Sequence, residues 1–308
     1  MKNNISQEIT FRKLSIFLTF MEKGNMVRTA GILGLSVVSV HRALHALEKA
    51  VGCSLFVHKG RNLVPLPSAW MLLEHSQRVM DLMARGLEDV RKEACVGPGH
   101  LRIGTLYSLM FETVPRMITG MKRRRSTLEL ELTMGSNQAL LNMLEDDELD
   151  AILISTSEGK FPESKFDVIP LFHDDIFLAV PASEFSDNRR LADLRDYSDR
   201  KFVSLAEGFA TCTNFRDAFH IAGFEPEIVT RVNDIFSMIS LVQAGVGLTL
   251  LPGRMQNVYK QDVQLLKLEE RYQMRQLISI VYSHSRERDP DLLALAAEGR
   301  MYARSLTS

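Results

Sequence analysis

The sequence predicts a mainly α-helical winged helix-turn-helix, followed by a coiled-coil linker helix and a larger α/β body. A turn and an amphipathic helix between Gly34 and Leu47 indicate the first part. A series of residues, all but Ser76 apolar, that recurs every three and four positions from Ala69 to Ala94 indicates the second. Strand-like runs that alternate with helical runs after residue 100 indicate the third. The predicted regions are residues 1–67, 68–96 and 97–308.

Length and composition exclude several classes of protein. The chain has 308 residues and 45% hydrophobic content, enough for two or three cored domains. We find no run of about 18 apolar residues and no signal-peptide core at the polar start, so we expect a cytoplasmic protein without a membrane partner. The three cysteines are widely spaced and lack a CxxC or His/Cys pattern. We therefore expect reduced thiols, no metal site and no cofactor.

The net charge of −1 conceals an asymmetry along the chain. Residues 1–70 contain 9 basic and 3 acidic residues, whereas the remainder contains 28 basic and 35 acidic residues. A basic N-terminal region attached to an acidic body is consistent with phosphate attraction confined to one end, although a solvated surface gives the same balance.

Two short helices are predicted first. The run Phe11 to Lys23 has an amphipathic pattern and ends at Gly24, and Asn25 is positioned to cap a helix from Met26 to Leu33. The apolar positions of the first helix are Leu14, Phe17, Leu18 and Met21.

The next helix is the predicted DNA-recognition helix. Ser36 is a suitable N-cap, and Gly52 stops the helix. Its buried stripe is Val40, Ala43, Leu44 and Leu47. Exposed valines and an arginine at a helix start suit thymine methyls and guanine edges in a major groove. An ordinary two-helix corner is the alternative. The outward residues predicted to contact DNA are Val37, Val38, Ser39, His41, Arg42 and His45.

A β-hairpin with a basic tip follows. Strands are predicted at Leu55 to His58 and Leu63 to Leu66. This hairpin corresponds to a wing, in which Lys59 and Arg61 would contact phosphates beside the groove, as would Arg28 from the second helix.

The 3.5-residue repeat after Ala69 predicts a coiled-coil seam, and therefore a homodimer or homotetramer. The alternative is a helix that packs on its own domain. The segment Val96 to Gly99 would end the helix and act as a hinge. The residues predicted to mediate dimerisation are Leu73, Met80, Met83, Leu87 and Val90.

The body is predicted to contain parallel sheets with crossover helices. Strands are expected at residues 101–105, 128–133, 151–155, 176–180, 202–205 and 277–282, and helices near 110–122, 138–145, 215–222 and 235–244. Ligands of such sheets bind beyond the carboxyl ends of the strands, where polar groups occur at residues 105–108, 135–137 and 204–207. Thr105, Ser108 and Asn137 are therefore candidates for effector contact, although Ser108, Ser136 and Asn137 could instead be helix N-caps.

These motifs, in this order, resemble LysR-type transcriptional regulators over nearly the whole chain. Residues 11–90 resemble the winged helix-turn-helix and linker helix of that family, and residues 100–305 its effector domain. The matching runs are residues 28–30, 35–36, 42–48, 52–56, 101–104 and 149–151, and above all Gln243 to Pro252.

The chain departs from the family in its recognition helix. Val37, Val38 and His41 stand where the family commonly has Gln, Pro and Ser, and Pro67, Ala69 and Trp70 replace the usual end of the wing. The base preference of relatives therefore does not transfer to this chain.

The resemblance implies two periplasmic-binding-protein-like subdomains with an inducer cleft between them. Subdomain I would comprise about residues 100–160 and 267–308, and subdomain II about 161–266. Family positions imply effector contacts from Ser108, Ser136 and Asn137, faced by Ser204 and Thr211. A pairing arginine cannot be assigned, because Arg102, Arg216 and Arg231 fit surface or structural roles better.

Within the family, residues 102–108 and 202–211 resemble regulators of malonate utilisation. This implies an activator of malonate decarboxylase genes that responds to malonate or a related small carboxylate; another inducer is the alternative. An enzyme is a remote alternative, since we find no GxSxG, Walker, HExxH or metal-binding motif. A third hypothesis is a ligand-free architectural DNA binder, which would not be stabilised by small acids.

Overall fold

The computed structural model describes residues 6–60, 62–93, 99–156, 161–162, 164–184, 191–258 and 260–306. The chain divides into two compact units, Met1–Gly97 and Pro98–Ser308. The hinge predicted at Val96 to Gly99 lies outside the described residues except for Gly99.

The first unit begins with three helices, whose predicted boundaries are confirmed. They are α1 (Phe11–Lys23), α2 (Met26–Leu33) and α3 (Val37–Val51). The side chains of Asn25 and Ser36 cap α2 and α3 by accepting backbone N–H groups of their first turns. Gly34 ends α2 with a φ of 63°, a left-handed conformation that glycine adopts without strain. This is why a sharp turn separates α2 from α3.

The core of the first unit confirms the apolar stripe predicted for α3. Val40, Leu44 and Leu47 are buried, whereas Ala43 is only half-buried. They pack in one cluster with Phe17 and Phe20 of α1. That packing turns the opposite face of α3 toward solvent.

A hairpin and a long helix complete the first unit. Strands β1 (Phe56–Lys59) and β2 (Asn62–Pro65) pair antiparallel, one residue from their predicted bounds. Glu48 of α3 anchors the hairpin, because its Oε1 accepts the backbone N–H groups of Leu55 and Phe56 at 2.9 and 3.0 Å. Helix α4 (Pro67–Glu93) then spans 27 residues.

The second unit alternates strands and helices, as expected for an α/β body. Its helices are α5 (Thr113–Arg124), α6 (Asn137–Glu145), α7 (Ala210–Ala222), α8 (Ile235–Gln243) and α9 (Pro290–Ser305). Its strands are β3 (His100–Thr105), β4 (Glu129–Met134), β5 (Ala151–Thr156), β6 (Phe166–Pro181), β7 (Leu191–Ala192), β8 (Lys201–Leu205), β9 (Glu227–Val232), β10 (Thr249–Pro252), β11 (Val263–Leu268) and β12 (Arg275–Ser283).

The expectation of purely parallel sheets is wrong for the centre of this unit. Strands β4, β3 and β5 are parallel, as are β8 and β9. In contrast, β12 is antiparallel to β5 and β6, and β10 and β11 are antiparallel to β6. The strand predicted at residues 176–180 is only the end of β6, whose earlier part contains Pro170 and the polar run His173 to Asp175.

Strand β6 joins two hydrophobic cores. One core contains buried residues from Leu101 to Leu171 and from Ile278 to Ala296. The other side of the unit is built on residues between Ile176 and Tyr272. Because the chain crosses from one core to the other within β6 and returns in β12, the two halves share one sheet, ordered β4-β3-β5-β12-β6-β11-β7 among the described residues.

Among the described residues, no single helix is long and apolar enough to cross a membrane. Only α2 and α3 taken together meet that length and composition, and they are bent by 105° at the turn between them.

Candidate functional site

The solvent face of α3 begins with the residues predicted to contact DNA. Val37 and Val38 are 39% and 65% exposed, and Ser39 and Arg42 are exposed as well. The side chain of Arg42 has no hydrogen-bond or ion-pair partner among the described residues. Its guanidinium can therefore donate two parallel hydrogen bonds to a guanine edge, while the valines offer methyl groups to thymine.

Two basic residues on other elements of the first unit are exposed as well. Arg28 on α2 and Lys59 at the end of β1 are both exposed. Lys59 lies in the last paired position of the hairpin, opposite Asn62. Such side chains can neutralise phosphates without reading sequence. Arg61, predicted to act beside Lys59, lies outside the described residues.

Three histidines meet between α3 and the hairpin. The Nε2 atoms of His41 and His45 are 3.1 Å apart, and Nδ1 of His45 lies 2.7 Å from Oε2 of Glu48. The ring of His58, on β1, is centred 6.4 Å from each of the other two rings. Sequence spacing shows only His41 and His45 one helical turn apart, so the third member was missed.

The predicted dimerisation seam of α4 divides into two parts. Leu73 and Met80 are half-buried and pack against the core of the first unit, together with the buried Ala69. Further along, Met83, Leu87 and Val90 are 46%, 48% and 67% exposed. The repeat thus serves the helix's own domain at its start, as the alternative held, and leaves an exposed apolar row at its end.

A cavity lies between the two halves of the second unit. It encloses about 20 Å³, room for little more than one water molecule, and adjoins a more open space of about 370 Å³. The volume of the open space falls in the usual range for small-molecule sites, about 300–1,000 Å³. The smaller cavity is lined by Leu106, Tyr107, Ser108, Asn137, Leu205, Phe209, Ala210, Thr211, Ile235, Arg254 and Gln276.

Arg254 is the cationic group of this cavity. Its Nη1 donates to Asp174 at 2.7 Å and to Gln276 Oε1 at 3.1 Å, and its Nε donates to Ser108 Oγ at 2.9 Å. Burial lowers the pKa of Arg254, and the nearby Asp174 carboxylate counteracts part of that effect. Among the described residues, Nη2 donates to no protein acceptor, so the guanidinium retains hydrogen-bonding capacity for a ligand.

Gln276 organises the neutral donors next to Arg254. Its Nε2 donates to Thr211 Oγ1 at 3.2 Å and to Asn214 Oδ1 at 2.8 Å. Because the oxygens of Ser108 and Thr211 accept these hydrogen bonds, their hydroxyl hydrogens remain available for a ligand. Helix α7 begins at Ala210, whose N–H donates to Asn137 Oδ1, and the N–H of Cys212 donates to the backbone oxygen of Phe209, so it is the helix dipole that favours an anion here.

Asn137 joins the two halves of the unit. Its Nδ2 donates to the backbone oxygen of Ser155 at 2.7 Å, and its Oδ1 accepts the N–H of Ala210 at 3.3 Å. The side chain is therefore engaged in a bridge across the cleft as well as lining it. A ligand that altered this bridge would change the relation between the halves.

Three predicted effector contacts do not line this cavity. Thr105 is fully buried, and its hydroxyl donates to the backbone oxygen of Leu106. Ser136 caps α6 by accepting the N–H of Ala139 at 3.2 Å, as the N-cap alternative held. Ser204 is 2% exposed and lines a different cavity, which also contains Arg216 and Arg231. In each case local sequence position did not reveal the direction of the side chain.

Sequence reasoning also missed Arg254, Gln276 and Asn214. Arg254 follows directly after the run Gln243 to Pro252, which offered the nearest signal. Its ion-pair partner Asp174 is 80 positions away. Of the three arginines considered from the sequence, Arg102 has a structural role, because its guanidinium pairs with the buried carboxylate of Asp150 at 2.9 Å.

Comparisons with known proteins match both units. Residues 11–69 match the family model of bacterial regulatory helix-turn-helix proteins of the LysR family, and residues 97–302 match the LysR substrate binding domain. The chain is 75% identical to a malonate utilization transcriptional regulator of Klebsiella pneumoniae, over 99% of each chain.

Solved structures share the fold. The crystal structure of full-length CbnR complexed with its target DNA has a TM-score of 0.73 at 19% identity, over 96% of this chain and all of that one. The effector binding domain of QuiR in complex with shikimate has a TM-score of 0.59 at 16% identity, over 68% of this chain and 99% of that one.

Proposed function

The chain belongs to the LysR family of DNA-binding transcriptional regulators, and from this premise we propose that it controls malonate-utilisation genes in response to malonate or a related small carboxylate. The family is non-enzymatic, so the cavity of the second unit is a site of binding and not of catalysis. The proposed sign of regulation is activation, as the resemblance implied.

The buried Arg254 carries the proposal for the effector. A carboxylate forms charge-assisted hydrogen bonds with a guanidinium that are roughly twice as strong as neutral ones. The hydroxyls of Ser108 and Thr211 add neutral donors in the same cavity, and the N-terminus of α7 adds its dipole. One carboxylate would bind Arg254 and the other these neutral donors, with Asn137 nearby at the bridge.

Two further facts support malonate within the class of small acids. The relative at 75% identity has malonate utilization in its name. The open space that adjoins the cavity, of about 370 Å³, stands at the lower end of small-molecule sites and suits a short dicarboxylate.

For DNA, we propose that Arg42 and Ser39 contact base edges or backbone, that Val37 and Val38 contact thymine methyls, and that His41 and His45 lie at the margin of the contact. Arg28, Lys59 and Arg61 would hold phosphates. Two copies of this surface, on symmetric half-sites, are the arrangement expected of a dimeric helix-turn-helix protein.

We further propose a homodimer or homotetramer that forms through α4 and acts in the cytoplasm. The exposed row Met83, Leu87 and Val90 supports a second copy as the partner, since an a/d seam buries such residues against another helix. The proposed division of labour is DNA binding by residues 1–67, association by 68–96 and effector binding by 97–308.

The test is calorimetric titration of the full-length protein with malonate, together with its thermal unfolding in a panel of small carboxylic acids. Malonate should bind and raise the midpoint of unfolding, because a ligand that binds only the native state stabilises it. Arg254→Lys keeps a charge beside Asp174 but loses the planar fork, so we expect at least tenfold weaker binding. Arg216→Lys, in an exposed residue of α7, is the matched control.

Outcomes that contradict the proposal are distinct. If another acid binds and malonate does not, the inducer is wrong and the regulator stands. If no acid binds, the architectural DNA binder is favoured. If malonate binds and Arg254→Lys binds equally well, the site lies elsewhere. DNase footprints with and without the acid then report whether binding changes the protein–DNA complex.

A further inference from the structure

The three histidines between α3 and the hairpin form a cluster that DNA binding by itself does not account for. Each of His41, His45 and His58 offers one ring nitrogen, and these three atoms all lie within 4.8 Å of one another. His41 is half-buried, and the other two are exposed. The cluster lies entirely in the first unit, so neither its geometry nor its test depends on the effector site.

We propose that His41, His45 and His58 bind one divalent transition-metal ion, of the class of Zn²⁺, which ties the recognition helix to the wing. This site goes beyond the proposed regulatory function. Imidazole is a preferred ligand of Zn²⁺, Ni²⁺ and Cu²⁺, whereas Mg²⁺ and Ca²⁺ prefer oxygen ligands. Three protein ligands on an exposed surface leave a fourth position for water.

The first distance fits this assignment. With Zn–N bonds of 2.0–2.1 Å, two nitrogens of a tetrahedral site lie about 3.3 Å apart. The Nε2 atoms of His41 and His45 are 3.1 Å apart, one turn apart on α3. His58 is exposed on β1, so a change of its side-chain rotamer can bring its nitrogen into the same range.

Glu48 supplies the second argument. Nδ1 of His45 lies 2.7 Å from Oε2 of Glu48, and because a carboxylate only accepts hydrogen bonds, this contact favours the tautomer with the proton on Nδ1. In that tautomer, Nε2 holds a lone pair on the side of His41. Histidine ligands of metals usually donate their other N–H to a carboxylate or carbonyl in this way.

The orientation of Glu48 is itself fixed. Its second oxygen accepts the backbone N–H groups of Leu55 and Phe56 at the start of the hairpin. The same carboxylate thus orients a ligand on α3 and holds the segment that carries His58. A metal ion would complete a link between α3 and β1 that these hydrogen bonds begin.

The competing interpretation is a plain hydrogen bond from Nε2–H of His41 to Nε2 of His45, with His58 nearby by chance. The experiment uses untagged, metal-free, full-length protein. Zn²⁺ is titrated by calorimetry, and Co²⁺ by its visible absorption, whose intensity reports four-coordinate geometry. We expect one tight equivalent per chain, and a higher midpoint of thermal unfolding with Zn²⁺.

Three variants decide the outcome. His58→Ala and His41→Ala should each weaken Zn²⁺ binding at least tenfold and abolish the thermal shift. His75→Ala removes an exposed histidine of α4 in the same unit and should change neither. Each position lies at or near the surface, and the unfolding midpoint without metal verifies the fold. The proposal is overturned if no equivalent binds, or if His58→Ala binds Zn²⁺ as tightly as the unmodified chain.

Discussion

The two units differ in the exposure of their functionally important charged side chains. In the first unit, Arg28, Arg42 and Lys59 are exposed, on α2, α3 and β1. In the second unit, the key charges are buried and paired: the side chain of Asp150 is 0% exposed between Arg102 and Arg286, and Arg254 is held by Asp174.

This difference follows from the size of the partner. A duplex carries a dense row of phosphates, so a basic side chain in water can attract it without being positioned beforehand. A small acid has few contacts, and its site gains by having donors fixed before it binds. Buried charges need a partner, because an isolated one loses its hydration. The comparison therefore predicts large stability effects in the second unit and effects on affinity and salt dependence in the first.

The largest effect is expected at Asp150. Burial opposes ionisation of this carboxyl, but hydrogen bonds from Arg102 and the charge of Arg286 lower its pKa well below the ordinary range. Asp150→Asn removes the charge between two arginines, and we expect a loss of about 3 kcal/mol in the free energy of unfolding at neutral pH. This loss is measured by urea unfolding, from the transition of the second unit.

The stability contributed by Asp150 should depend on pH in a definite direction. A carboxyl whose pKa is lower in the folded state contributes its full stability above its unfolded pKa, about 3.9, and loses it as the pH falls toward the folded value. The deficit of Asp150→Asn should therefore narrow below about pH 4. Asp175→Asn, in the exposed pair with Arg275, is the control and should cost at most about 1 kcal/mol. Equal losses for both variants would remove the contrast between buried and exposed charge.

The next effect is expected at Arg42, and it concerns DNA affinity. Because this guanidinium is exposed and lacks a protein partner among the described residues, Arg42→Ala should leave the free energy of unfolding nearly unchanged. Specific binding should weaken by about 1–3 kcal/mol if the side chain contacts a base edge. Mobility-shift titrations with an operator fragment and a random duplex separate the two roles. Similar losses on both DNAs would assign Arg42 to phosphate.

Local sequence signals predicted the first unit well. The caps Asn25 and Ser36, the stop at Gly52 and the apolar stripe of α3 all act within a few residues, and the structure confirms them. The long strand β6 was only partly predicted, because Pro170 and the polar residues after it obscure the alternation expected of a strand. Antiparallel pairing by β12 depends on contacts between residues a hundred or more positions apart, which local pattern does not encode.

The candidate sites show the same limit. Ser108, Asn137 and Thr211, which strand ends and family position suggested as effector contacts, line the cavity. Thr105 and Ser204 do not line the cavity, and the sequence could not predict this because it does not show the direction of a side chain. Arg254 is recognisable as a site residue only from its hydrogen bonds to Asp174 and Gln276, which lie on strands distant in the sequence. The histidine cluster likewise requires the hairpin to fold His58 back toward α3.

The smallest effect, and the one that most sharpens the comparison, is expected at Lys59 of the wing. If Lys59 contacts phosphate as proposed, it reads no base, so Lys59→Ala should weaken specific and random DNA binding by similar factors. The slope of the logarithm of affinity against the logarithm of salt concentration should fall by about 1, because one fewer counterion is released. Lys267→Ala, an exposed lysine of β11, should leave that slope unchanged. If both variants change the slope equally, the salt dependence of DNA affinity reflects the net charge of the protein. Lys59 would then not hold the duplex through a local phosphate contact.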